Sequence, residues 1–359
     1  MLHTNDDFLS AIRANPHERT LRLVYADWLD EHDAPDRAEL VRVEEEMRQV
    51  PVFADRFWEL KPRRNALRAS AGAEWCERMR YGTECEPVFR HGIPDGWRER
   101  WRLIREFTER WHRVPTPDIG GRQKEIAEAE VRLGRALPAS VREWIAFAHD
   151  LNPPDAEWLC VLRDPYQMEE VPGHAALSLL LQAEGDYHWA VQHKDLSSLD
   201  PPVYGYHWDH ENRDESTFVL DKRNPAATAL TDFVLGYAMG YAHGEGGGFN
   251  VDVDVHGLSQ LRRELETAFP PPTRFGTQEI HELDNVMVIT APPWWDKTGV
   301  HVRVEVAALR PGQQVPAFLA NYARGGGSFH GMFTPANHRH DGTAPPAPYL
   351  PGPDDPIPF

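Results

Sequence analysis

The chain has 359 residues, 41% of them hydrophobic, enough to bury substantial cores; at about 100 to 200 residues per domain it should fold as two or three domains. Its 38 Lys and Arg against 56 Asp and Glu leave a formal charge of −18, which repels nucleic-acid phosphate and anionic membrane and favours encounter with a basic partner. Cys76, Cys85 and Cys160 lack the paired spacing of a disulfide framework or zinc site, and no apolar run reaches the roughly 18 residues of a membrane span, so a cytoplasmic setting is expected.

Residues 1–82 read as a helical module. Phe8, Leu9 and Ile12 form a first short apolar face. In "TLRLVYADWLDEH", Leu21, Val24, Tyr25, Trp28 and Leu29 fall on one stripe of a 3.6-residue period, with Thr20 placed to cap the start and Asp27, Asp30 and Glu31 pointing elsewhere. "HDAPD" ends that helix and opens the next, with Pro35 in its first turn and Asp36 near the positive helix end. The second helix carries Leu40, Val43, Met47 and Val50 on one side, so Glu44, Glu45 and Glu46 are expected to face water. A further helix runs through "AGAEWCERM", and the Pro- and Gly-punctuated residues 83–96 suit a linker.

From Trp97 a new helix places Trp97, Trp101, Ile104 and Trp111 on one face, beside Leu103 and Phe107, with its arginines largely opposite. A tryptophan stripe at this spacing is ordinarily core, and the acidic chain argues against a nucleic-acid patch. Leu133-Gly134 then closes one helix, and Pro138 with Ser140 opens another. Beyond Asn152 the period shortens to that of strands, in "EWLCVLR", "YHWAVQHK", "PPVYGYHW" and "STFVLDKR", before the helix "ALTDFVLGYAMGYA". Val251, Val253 and Val255 alternate with Asp252, Asp254 and His256 as in a half-buried strand, and Leu258, Leu261 and Leu265 make the next helix. "NVMVIT" and "VHVRVEVAAL" form an antiparallel pair, "VPAFLANYA" a last helix, and residues 335–359 a Pro- and Gly-rich tail expected to be mobile.

Sites of chemistry are sparse. The glycine clusters "HGEGGGF" and "RGGGSF" follow helices, whereas a phosphate cradle needs strand, glycine loop and helix start in that order. Asp252, Asp254 and His256 on one strand face, or His207, Asp209 and His210, could supply metal ligands, but an exposed sheet face reads the same way. No GxSxG elbow occurs, Cys160 lies in an apolar strand pattern, and no serine and histidine are paired by spacing. No cofactor, metal or catalytic residue is therefore assigned.

Two resemblances extend this reading. "DFLSAIRANP", "RLVYADWLDEH" and "DRAELVRVEEEM" resemble the bacterial repeat-companion domain, a helical module with no catalytic residues to carry over. Residues 97–242, through "IAEAEVRLGRALPASVREWIAF", "YHWAVQHKDLSSLDPPVYGY" and "LTDFVLGYA", resemble the SUKH superfamily, which includes cell-wall synthesis regulators and immunity proteins of bacterial toxin systems. The second resemblance implies an α+β fold, helices packed on a mixed or antiparallel sheet, spanning residues 97–245; residues 246–334 lie outside its motifs and read from their own pattern as an α+β extension of strands and helices. It also implies a non-catalytic protein-binding role, as an immunity protein occluding a toxin or as a regulator or scaffold. The charge of −18 suits a basic nuclease toxin. Partner contacts are then expected on a sheet edge and its loops, among Tyr204, Tyr206, His207, Trp208, Asp209 and Glu211, since aromatic residues beside carboxylates make good anchors. Oligomeric state and the partner's identity are left open, and a metal-dependent enzyme is the remaining alternative.

Overall fold

The computed structural model describes residues 4–16, 18–81, 87–112, 119–151, 160–161, 168–182, 185–209, 218–221, 225–246, 248–283, 285–292, 301–308 and 316–319. Its architecture is α+β, in two compact units: Met1–Ile93 with His243–Phe359, and Pro94–Ala242. The helical module and the carboxy-terminal extension, which the sequence pattern separates, thus belong to one unit, and the tail expected over 335–359 lies outside the described residues.

The first unit opens with α1 (Asn5–Ala14), α2 (Arg19–Glu31), α3 (Pro35–Met47), α4 (Asp55–Ala71) and α5 (Ala73–Arg78). Thr4 and Asp7 close a reciprocal capping box on α1, and Pro35 opens α3 as expected. The α2 cap is Glu18, whose carboxylate accepts from the Thr20 amide at 3.1 Å, so Thr20 lies in the first turn instead. The buried positions of α2 are Arg22, Tyr25, Ala26 and Leu29, the expected period turned by a fraction of the circumference, and Val24 is 50% exposed. Tyr25 ties three helices together: its hydroxyl donates to Asn5 Oδ1 at 2.5 Å and accepts from Trp75 Nε1 at 3.2 Å.

The carboxylates of α3 do not all face water. Helix α3 packs against both α2 and α4, so both of its flanks are covered. Glu45, 2% exposed, lies 3.4 Å from Arg22 Nε, itself 1% exposed, and 3.3 Å from Arg48; Glu44 pairs with Arg68 at 2.6 Å. Arg22 also donates to the Pro16 carbonyl at 3.0 Å. Asp27 and Asp30 do stay at the surface, sharing Arg42. Helix α4 is absent from the pattern-based reading because Pro62 sits in its interior, where proline ordinarily breaks a helix.

The second unit contains α6 (Trp97–Trp111), α7 (Gln123–Leu133), α8 (Ala139–Leu151), the strands β1 (Cys160–Val161), β2 (Ala176–Gln182), β3 (Tyr187–Gln192), β4 (Tyr204–Trp208) and β5 (Phe218–Leu220), and most of α9 (Leu230–Gly246). The strands form one antiparallel sheet in sequential order, β1-β2-β3-β4-β5. Strand β2 escapes the pattern-based reading since "ALSLLLQ" is an apolar run without alternation. Trp101, Leu103, Ile104, Phe107 and Trp111 of α6 are buried, and its arginines bond within the unit: Arg100 to Asp232 of α9, Arg105 to Glu143 of α8, Arg110 to Glu106. Helix α7 ends on Gly134 at φ 65, the left-handed conformation glycine adopts without a Cβ penalty.

Returning to the first unit, β6 (Gly248–Asp254), α10 (Val255–Ala268), β7 (Thr273–Phe275), β8 (Gln278–Leu283), β9 (Val286–Ala291) and β10 (His301–Ala308) form a second antiparallel sheet, β6-β10-β9-β8-β7, with one helix. The expected pairing of β9 with β10 is present, while the β7–β8 hairpin is an addition. Val255 begins α10, so His256 lies in the helix and not in the strand that contains Asp252 and Asp254. Leu261 and Leu265 of α10, with Phe269 just beyond its end, pack on Val286, Val288, Val304 and Val306. In place of a linker, Val88 and Phe89 are buried: the Phe89 amide donates to Glu282 Oε2 at 3.0 Å and its carbonyl accepts from Thr273 Oγ1 at 2.9 Å.

Two outcomes are expected from this packing. Glu45→Ala leaves the Arg22 charge buried and should cost about 3–5 kcal/mol in urea unfolding, whereas a paired Arg22→Met, Glu45→Met variant should recover most of that loss. His112, 5% exposed, donates from Nε2 to the Ala238 carbonyl at 2.9 Å, and burial holds its imidazole below the ordinary pKa. The unfolded chain therefore binds the extra proton below about pH 6.5, and stability falls as pH drops through that value. His112→Gln, which can donate but not titrate, should flatten the decline of Tm measured from about pH 7 to 5.

Candidate functional site

Strand β4 carries most of the residues expected to meet a partner, but it is an interior strand, hydrogen-bonded to β3 on one side and β5 on the other. The expected sheet-edge position is therefore wrong for these residues: the sequential strand order leaves β4 no free backbone edge. Strand pleating then splits them, Tyr204, Tyr206 and Trp208 to one face and His207 to the other.

The Tyr204 face is largely closed. Tyr206 is 2% exposed and packs with Val171, Ala176 and Ala190, with His174 stacked 4.8 Å from its ring and Gln192 donating to its hydroxyl at 2.9 Å. Burial raises its phenol pKa, so it remains a neutral core group. Tyr204 lies under Lys194 at 5.4 Å and bonds Asp195. Trp208 and Asp209 are half-buried at the strand end, the Trp208 amide donating to the Asp186 carbonyl at 2.7 Å, and Glu211 lies outside the described residues.

On that same face Ser178 Oγ and His188 Nδ1 are 2.8 Å apart across β2 and β3, a pairing that spacing in the sequence does not show. Ser178 is 6% and His188 5% exposed, with Phe218 edge-on to the imidazole at 4.6 Å. A serine nucleophile must reach a substrate carbonyl, which this burial prevents; the pair satisfies two buried polar groups.

The opposite face, toward α9, carries a row of aromatic rings. Tyr187 and Trp189 alternate outward from β3, with ring centroids 4.6 Å apart; Trp189 meets Phe233 at 6.2 Å, and Phe233 meets Tyr237, one helical turn on, at 6.3 Å. All four rings are half-buried. Gly205 lies across from Trp189 in the β3–β4 register, and a Cβ there would overlap the Tyr187 phenol. The missing side chain lets Tyr187 cross β4, where its hydroxyl donates to Asp221 Oδ2 at 3.1 Å. Alternation in "YHWAVQ" marks the first two rings, but nothing local joins them to Phe233 and Tyr237.

In the first unit a concavity of about 600 Å³ lies between α10 and the sheet. Arg262 and Arg274 face Glu266 and Glu279 around it, so it focuses no single sign of charge. Burial lowers the pKa of His281 in its wall. Among the described residues, no cluster of three or more His, Cys, Asp or Glu could hold a metal ion.

Compared with protein-family models, curated proteins and solved structures, the chain matches none. Ser178→Ala should cost about 1–3 kcal/mol by removing one partner of a buried pair, read from denaturant unfolding.

Proposed function

We propose that this chain is a non-catalytic protein-binding module of SUKH immunity type, acting in the cytoplasm to occlude a basic, toxin-like protein. Its support is where the charge lies. Residues 150–221, which hold all five strands of the second unit, contain 15 Asp and Glu against 3 Lys and Arg, a net −12 of the chain's −18. Such a field speeds docking of a basic protein and repels nucleic acid and anionic lipid. Among the described residues no helix is long and apolar enough to cross a membrane.

Purification of the tagged chain from its native cell should recover a basic protein at equal stoichiometry and suppress that protein's toxicity. Capture without suppression would instead indicate a regulator or scaffold. Charge reversal by Asp209→Lys with Glu211→Lys should slow association about tenfold at low salt, and added salt should narrow the difference. Repeated recovery of no basic partner defeats the proposal.

A further inference from the structure

Building on that reading, we infer that the basic partner lies against the α9 face of the second unit's sheet, with an arginine-bearing segment running along the four-ring ladder. At the centre of the Tyr204 face Tyr206 is buried with Val171, Ala176 and Ala190, whereas every ring of the ladder is half-buried. Aromatic faces carry negative quadrupole potential, and a planar guanidinium can stack on them while bonding a carboxylate. The ladder offers both features together. Its ring-to-ring steps of 4.6, 6.2 and 6.3 Å make a continuous track, and Asp221 stands at its Tyr187 end.

Two further details fit a cationic occupant. Asp209 follows Trp208 at the end of β4 beside Tyr187, which places a second carboxylate at that end of the strands. Gly205 supplies no side chain to lift the Tyr187 ring off the sheet. An acidic segment would meet these carboxylates and the surrounding field with the wrong sign.

The test uses the full ¹⁵N-labelled chain, titrated with a synthetic peptide of alternating arginine and serine and with its glutamate counterpart. The arginine peptide should shift the Trp189 indole N–H saturably, and the glutamate peptide should not. Trp189→Ala with Asp221→Asn should raise the Kd about tenfold, while Glu128→Gln, which removes one exposed charge on α7, should change it by less than about twofold. Phe233→Leu keeps apolar volume and removes one ring; it should weaken binding with an otherwise unchanged spectrum, which separates lost contact from lost fold. If the peptide binds and Trp189 stays silent, or if Glu128→Gln weakens binding equally, the surface is wrong although the binding function survives. A chain that binds neither the peptide nor any basic protein sinks both.

Discussion

Two-residue alternation along β3 and β4, inside a sheet of fixed antiparallel order, governs what the second unit can present. Because β4 is hydrogen-bonded on both sides, its backbone has nothing to offer a partner strand, and only its side chains count. The pleat sends Tyr206 into a closed cluster and leaves Tyr187 and Trp189 of β3 toward α9. A one-residue slip of β3 would exchange the two sets of its side chains and carry His188 away from Ser178 of β2.

Charge is handled differently in the two units. In the helical module, carboxylates are taken into the packing and matched: Glu45 between Arg22 and Arg48, Glu44 against Arg68. Such pairs gain little over apolar residues of equal volume, but each makes the register of α2, α3 and α4 costly to change. In the second unit, α6 likewise engages Arg100, Arg105 and Arg110 internally. The sheet region has few cations of its own to match its carboxylates, so its negative field is little compensated within the sequence around it.

The joining of Val88 and Phe89 to Glu282 and Thr273 changes how the chain is divided. Composition marks residues 83–96 as a linker because proline and glycine are abundant there. Two buried residues suffice to make part of it a packed strap, and the helical module and second sheet then enclose the middle unit in sequence.

Much of the secondary structure was legible without coordinates. The periods of α2, α6 and α10, the Pro35 start of α3, the Gly134 stop of α7 and the β9–β10 pair are local properties, set within a few residues by side-chain direction and backbone sterics. Local signals failed where they conflicted, as with Pro62 inside α4 and the unalternating β2. The exact azimuth of α2, which buries Arg22 and exposes Val24, was decided by its neighbours. So were the burial of Glu45, the interior place of β4, the Ser178–His188 pair and the ladder from Tyr187 to Tyr237. Each depends on groups far apart in the chain meeting at one register. Periodicity says which residues share a face, but only packing says what that face meets.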